Sequence, residues 1–152
     1  MKLPLPPDLE FYREFGLLIH RPRSVINREA VNRIITVIGE LEHSLKEPFN
    51  RFLDTDAAEL VDLNFEYIRR VSLYRRHFYG DRPPIKTAIL ATDPTMAEHG
   101  RLYASLTKGS PIQVRVFQDR KEAAQWLGVP PELLVAKPAG DRPGLMGERS
   151  AE

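Results

Sequence analysis

Three features of the sequence predict an α/β fold, with a mostly parallel sheet and helices mainly on one face. Strand-like and helix-like runs alternate along the chain, and that order requires parallel crossover connections. Residues 112–128, IQVRVFQDRKEAAQWLG, hold an alternating strand, a carboxylate cap and a short amphipathic helix closed by glycine. The strand runs also mix polar with apolar residues: Gln113 and Arg115 in one, Asn50, Arg51 and Asp54 in another. A sheet covered on both faces reads as almost continuously apolar, so one face is expected to stay partly open.

The elements follow in order. Pro4, Pro6 and Pro7 prevent a helix at the start. EFYREF and LLIHRP are two short strands meeting at Gly16, a hairpin or a bulged bend. A helix opens at Asn27 and carries Val31, Ile34, Ile35, Ile38, Leu41 and Leu45 as one apolar stripe, ending before Pro48. Residues 49–55 form a strand, followed by an acidic turn and a helix over about 58–79. Its core stripe is read as Leu60, Tyr67, Val71, Tyr74 and Phe78, joined by Phe65 and Ile68; Gly80, Pro83 and Pro84 stop it. IKTAILAT is a buried strand. Asp93 caps the next helix with Pro94 in its first turn, and that helix stops at Gly109. After IQVRVFQ, Asp119 and Glu122 form a capping box, Trp126 and Leu127 anchor the helix, and Gly128 ends it. A last short helix fits over 130–135. The domain is read as residues 9–135, between an N-terminal tail (1–8) and a C-terminal tail (136–152), both rich in proline or glycine.

Composition narrows the function classes. The chain has 152 residues, 42% apolar, enough for a single domain with a real core. Lys and Arg total 22 against 21 Asp and Glu, a formal net charge of +1; a nucleic-acid partner is not expected from so neutral a balance. Cysteine is absent, which removes disulfide and thiolate chemistry and fits a cytoplasmic location. No apolar run approaches the roughly 18 residues of a membrane span, and the first residues lack the apolar core of an export signal.

The run VRVFQDRKEAAQWLG, preceded by KTAILATDPTMAEHGRLYASL, resembles the SpoIIAA-like proteins related to STAS domains, over about residues 9–128. The resemblance implies a right-handed superhelix of β-α units, with a mostly parallel sheet of 4–5 strands. It also implies a regulatory module that docks on a partner protein. Relatives are switched by phosphorylation of a serine at the start of the second helix. Here Asp62, Leu63 and Asn64 stand at that place, so the switch has no acceptor hydroxyl. Other relatives resemble lipid-transfer domains with an apolar pocket.

No catalytic constellation is visible. Asp54, Asp56, Glu59 and Asp62 supply oxygen ligands but lack the glycine turn of a calcium loop, and helix capping accounts for them. His20, His43, His77 and His99 are unpaired at ligand spacings and read as surface or boundary residues. No serine stands in a nucleophile elbow, and phosphate-cradling glycine loops are missing. Arg69, Arg70, Arg75, Arg76 and Arg82 interleave with Tyr74 and Phe78. The arginines read as a solvated face and the aromatics as core, with an acidic-partner surface as the alternative.

The expectation is therefore a non-enzymatic module with no cofactor, metal or catalytic residue, binding a protein partner and compatible with a homodimer. Its candidate contact residues are Asp54, Thr55, Asp56, Asp62, Asn64, Arg69 and Arg76. A carrier or sensor of a small apolar or lipid-like ligand is the second reading; it needs an unfilled pocket lined by Phe65, Ile68 or Tyr103.

Overall fold

The computed structural model describes residues 5–136. The N-terminal hairpin is antiparallel: β1 (Leu9–Tyr12) pairs with β2 (Leu17–His20) through a 3-10 turn that closes at Gly16 with φ 56°. Three crossovers follow. β3 (Val25–Ile26) and α1 (Arg28–Leu45) lead to β4 (Asn50–Asp54), then β5 (Leu60–Val61) and α2 (Phe65–Tyr79) to β6 (Ile85–Leu90). α3 (Pro94–Thr107) leads to β7 (Ile112–Phe117), and α4 (Arg120–Leu127) and α5 (Pro131–Leu134) close the described chain. The main sheet has the order β1-β2-β4-β6-β7 and is parallel from β2 onward; β3 and β5 pair separately as a two-stranded parallel ribbon.

Strand order advances steadily in one direction while α1, α2 and α3 lie on one face, so all three crossovers share one hand. Parallel crossovers are right-handed in nearly all proteins. Alternation along each strand decides what each face receives. Leu18, Leu53, Ile89, Val114 and Val116 point toward α1 and α3, against Ile38, Leu41, Met96 and Ala97. Leu17, Ile19, Phe52, Ala88, Leu90 and Phe117 point the other way, against Ala123, Ala124 and Leu127 of α4 and Leu134 of α5. The second face carries only those two short helices, and Gln113 and Arg115 remain exposed beside them. Of the polar strand residues, Gln113 and Arg115 do lie on the sparsely covered face, whereas Arg51 is buried under the main helical layer and Asp54 beside α4.

The helix starts follow local chemistry. The side chains of Asn27, Asn64, Asp93 and Asp119 each accept a backbone N–H of the first turn, satisfying donors that have no partner within the helix. α2 therefore begins at Phe65, not near residue 58: the preceding stretch is held extended as β5, hydrogen-bonded by Glu59 and Asp62 backbone amides to Ser24 and Ile26. Its buried side also differs from the expected stripe. Tyr67, Ile68, Ser72, Arg75 and Tyr79 are buried, whereas Phe65, Tyr74 and Phe78 are exposed. The helix is rotated relative to that reading because Arg75 and Tyr79 join a polar cluster under the sheet. Trp126 is half-buried, packed on Phe117 at 5.6 Å between ring centroids.

Residues 1–4 of the expected N-terminal tail, and all but Ala136 of the expected C-terminal tail, lie outside the described residues. Within the first segment, Leu5 packs on the Leu9–Leu18 cluster and Asp8 bonds His20 at 3.2 Å, so residues 5–8 are docked on the domain.

Candidate ligand cavity

α3 and α1 sit at different heights on the sheet. α3 presses onto it: a Cβ at Gly100 would meet the Val116 side chain at 3.0 Å, tight enough that Val116 would have to shift by a few tenths of an ångström. α1 stands off, and its stripe residues Val31, Ile34 and Ile35 are only partly buried although they face inward. Between α1, α2, α3 and the sheet lies a pocket of about 220 Å³ whose exposed surface is almost wholly apolar, although His20, Thr55, Thr87 and His99 also border it. Ile26 and Val61 of the β3–β5 ribbon, Leu63 and Met96 surround one end. Arg51, Arg75 and Tyr103 stand at the other. Both Arg51 and Thr55 border it, so it runs roughly 13 Å along β4 at about 3.3 Å per strand residue.

The polar end is built from three elements. Nη2 of Arg51 donates to Glu42 at 2.6 Å and to the Tyr79 hydroxyl at 2.8 Å, and Tyr79 in turn donates to Glu42. Burial pushes the Tyr79 phenol above its ordinary pKa, while the guanidiniums of Arg51 and Arg75 pull it the other way. Both guanidiniums face the Tyr79 ring, at 5.6 and 5.1 Å from its centroid. Nε and Nη1 of Arg51 are buried without a hydrogen-bond partner among the described residues.

Of the two arginines, the sequence reading placed Arg75 on a solvated face; it is 6% exposed. The signal was present: Arg75 falls four residues after Val71 and four before Tyr79, one helical face, once the start at Asn64 is known. Of the residues expected to line a pocket, Ile68 and Tyr103 do. Phe65 lies outside with 67% exposure, near His99.

The seven residues expected to form a contact surface fall in separate places. Asp54, Thr55 and Asp56 lie at the C-terminal end of β4. Asp54 is 2% exposed and accepts Nη2 of Arg120 at 2.8 Å and the amide of Asp56 at 3.0 Å, with Nε of Arg21 at 3.4 Å. Thr55 donates its hydroxyl to the Leu90 carbonyl, and Asp56 accepts from Thr92. Arg21 and Arg120 also donate to the Leu134 carbonyl, so this network ties α4 and α5 to β4. Asp62 and Asn64 are exposed beside the ribbon, with Asn64 serving as the α2 cap. Arg69 pairs on the surface with Glu66, and Arg76 donates to the carbonyls of Leu106 and Lys108 at the end of α3. Among the described residues, no three His, Asp or Glu side chains gather as a metal site, and no helix is long and apolar enough to cross a membrane.

No protein-family model matches the chain, and no curated protein matches it. A solved structure is similar in fold: an uncharacterised protein of the DUF3478 family with a SpoIIAA-like fold, from Shewanella loihica PV-4. It is 14% identical, with 73% of this chain and 83% of that one covered and a TM-score of 0.49. The likeness is one of fold alone. The strand order and the common hand of the crossovers carry the α/β assignment by themselves.

Proposed function

We propose that this protein binds a small apolar ligand in the cavity between α1, α2, α3 and the sheet, as a non-enzymatic carrier or sensor. The observation that carries this reading is the cavity itself. Apolar side chains normally pack to crystal-like density, and this apolar recess, partly open to solvent, leaves its lining without the dispersion contacts a ligand would supply. At about 220 Å³ it exceeds the roughly 150 Å³ apolar cavity that takes up benzene and falls short of the roughly 300 Å³ at which drug-sized pockets begin. By proportion to benzene, the ligand has roughly nine or ten non-hydrogen atoms.

The test is isothermal titration with indole, which has nine non-hydrogen atoms, on the unaltered chain and on Val71→Phe, which places a ring in the space Val71 borders. Saturable binding is expected, weakened about ten-fold or more in the variant, a difference of about 1.4 kcal/mol. The unfolding midpoint should be unchanged or raised. Absence of saturable binding, or equal affinity in both proteins, refutes the reading.

A protein-docking role has separate support. Leu73, Tyr74 and Phe78 expose 44, 57 and 42% of their surface on α2, with Tyr74 stacked on Phe78, and exposed aromatics of this kind are enriched in interfaces. A second copy of the chain is the simplest occupant. Sedimentation velocity should show a concentration-dependent dimer that Tyr74→Ser/Phe78→Ser abolishes; a monomer at all concentrations removes the homodimer reading.

A further inference from the structure

We infer that the ligand of this cavity is an anion, a small apolar monocarboxylate whose head group pairs with Arg75, with Arg51 behind it. This deepens the binding reading above and rests on it. The reason is an imbalance of charge. The guanidiniums of Arg51 and Arg75 face the same Tyr79 ring, and each residue is about 95% buried, at 5 and 6% exposure. Glu42 is the carboxylate of the cluster, already engaged by Arg51 and Tyr79 and approached by Arg82 at 3.7 Å. Arg75 has no ion pair within 4.0 Å among the described residues; burial disfavours its charge, and the groups that favour it are the Tyr103 and Tyr79 hydroxyls first and Glu42 last. Arg75 also borders the cavity.

A buried cation without a counter-ion is costly, and a guanidinium cannot shed its proton to escape the cost. Tyr79 offers its ring face to Arg75, which offsets part of the penalty. A carboxylate entering along the apolar walls would supply the missing charge, and the fork of N–H donors on arginine matches its two oxygens. The cavity length, roughly 13 Å along β4, and its almost wholly apolar exposed surface suit a short acyl or aryl tail. A phosphate dianion fits less well, because its second charge would lack a partner while its desolvation costs more.

Isothermal titration of the full chain at neutral pH with octanoate and with 1-octanol separates head group from tail. Octanoate is expected to bind roughly ten-fold or more tightly than the alcohol, the gain of a charge-assisted pair. Arg75→Met should erase that preference while leaving octanol affinity in place, and Arg75→Lys should retain part of it. Equal affinity for the two ligands in the unaltered protein overturns the anion inference and leaves the apolar cavity standing. So does an Arg75→Met variant that keeps its octanoate preference. Binding of neither ligand overturns both. The comparison on the unaltered chain decides the matter even if a variant does not fold.

Discussion

Replacing Asp54 with alanine tests whether the strand-end carboxylate holds the fold together. Asp54 is 2% exposed and its carboxylate meets Arg120 at 2.8 Å, Arg21 at 3.4 Å and the Asp56 amide at 3.0 Å. Removing one partner of a buried ion pair costs about 3–5 kcal/mol, because the remaining charge is left desolvated. Here the loss falls at the lower end. The Arg120 side chain is 28% exposed and water can reach it, whereas Arg21 is 13% exposed and keeps Glu10 and two carbonyls as partners. A loss of about 3 kcal/mol, with a urea slope of about 2 kcal/mol/M, moves the unfolding midpoint down by about 1.5 M. Equilibrium urea unfolding followed by circular dichroism measures it. A double-mutant cycle with Arg120→Met should add a coupling of about 1–3 kcal/mol. A loss below about 1 kcal/mol, or strictly additive single losses, would refute the structural role and return Asp54 to the candidates for contact with a partner.

Two further predictions concern the periphery. Asp8 accepts a hydrogen bond from His20, which holds its carboxyl below 3.8 against the opposing effect of burial. A depressed carboxylate pKa adds stability that is present above the unfolded value and lost as pH falls through the folded one. Asp8→Asn should therefore lower the urea midpoint at pH 7, and the gap should close as pH falls through the depressed folded-state pKa of Asp8; a gap constant across pH would refute the linkage. Gly128 ends α4 at φ 75°, its amide reaching the Ala124 carbonyl at 2.8 Å, with no atom within 4 Å of an added Cβ. The cost of Gly128→Ala is then conformational alone, about 1 kcal/mol, read as a small drop in thermal midpoint. A neutral or stabilising result would show that the left-handed ending is not required.

How legible was this molecule in its sequence? The hairpin at Gly16, the caps at Asn27, Asp93 and Asp119, and the glycine ending of α4 were all readable, because each is a contract between residues within a few positions of one another. The β3–β5 ribbon was missed because two residues per strand are too few to show alternation; only the pairing of Val25 with Leu60 and Ile26 with Val61 creates it. α2 was misread because aromatic residues surround it. Tyr67, Tyr74, Phe78 and Tyr79 offer two apolar stripes about equally, and propensity does not choose between them.

The sequence alone determined the alternation of strands and helices and the ends of most helices, since local hydrogen bonding and periodicity act over short separations. Tertiary structure alone decided which way α2 turns, and with it the burial of Arg75 beside Arg51, Glu42 and Tyr79. It also set the height of α1 above the sheet, and so the cavity. Those outcomes depend on how side chains from distant segments fill, or fail to fill, a shared volume, and no single stretch of chain encodes that volume.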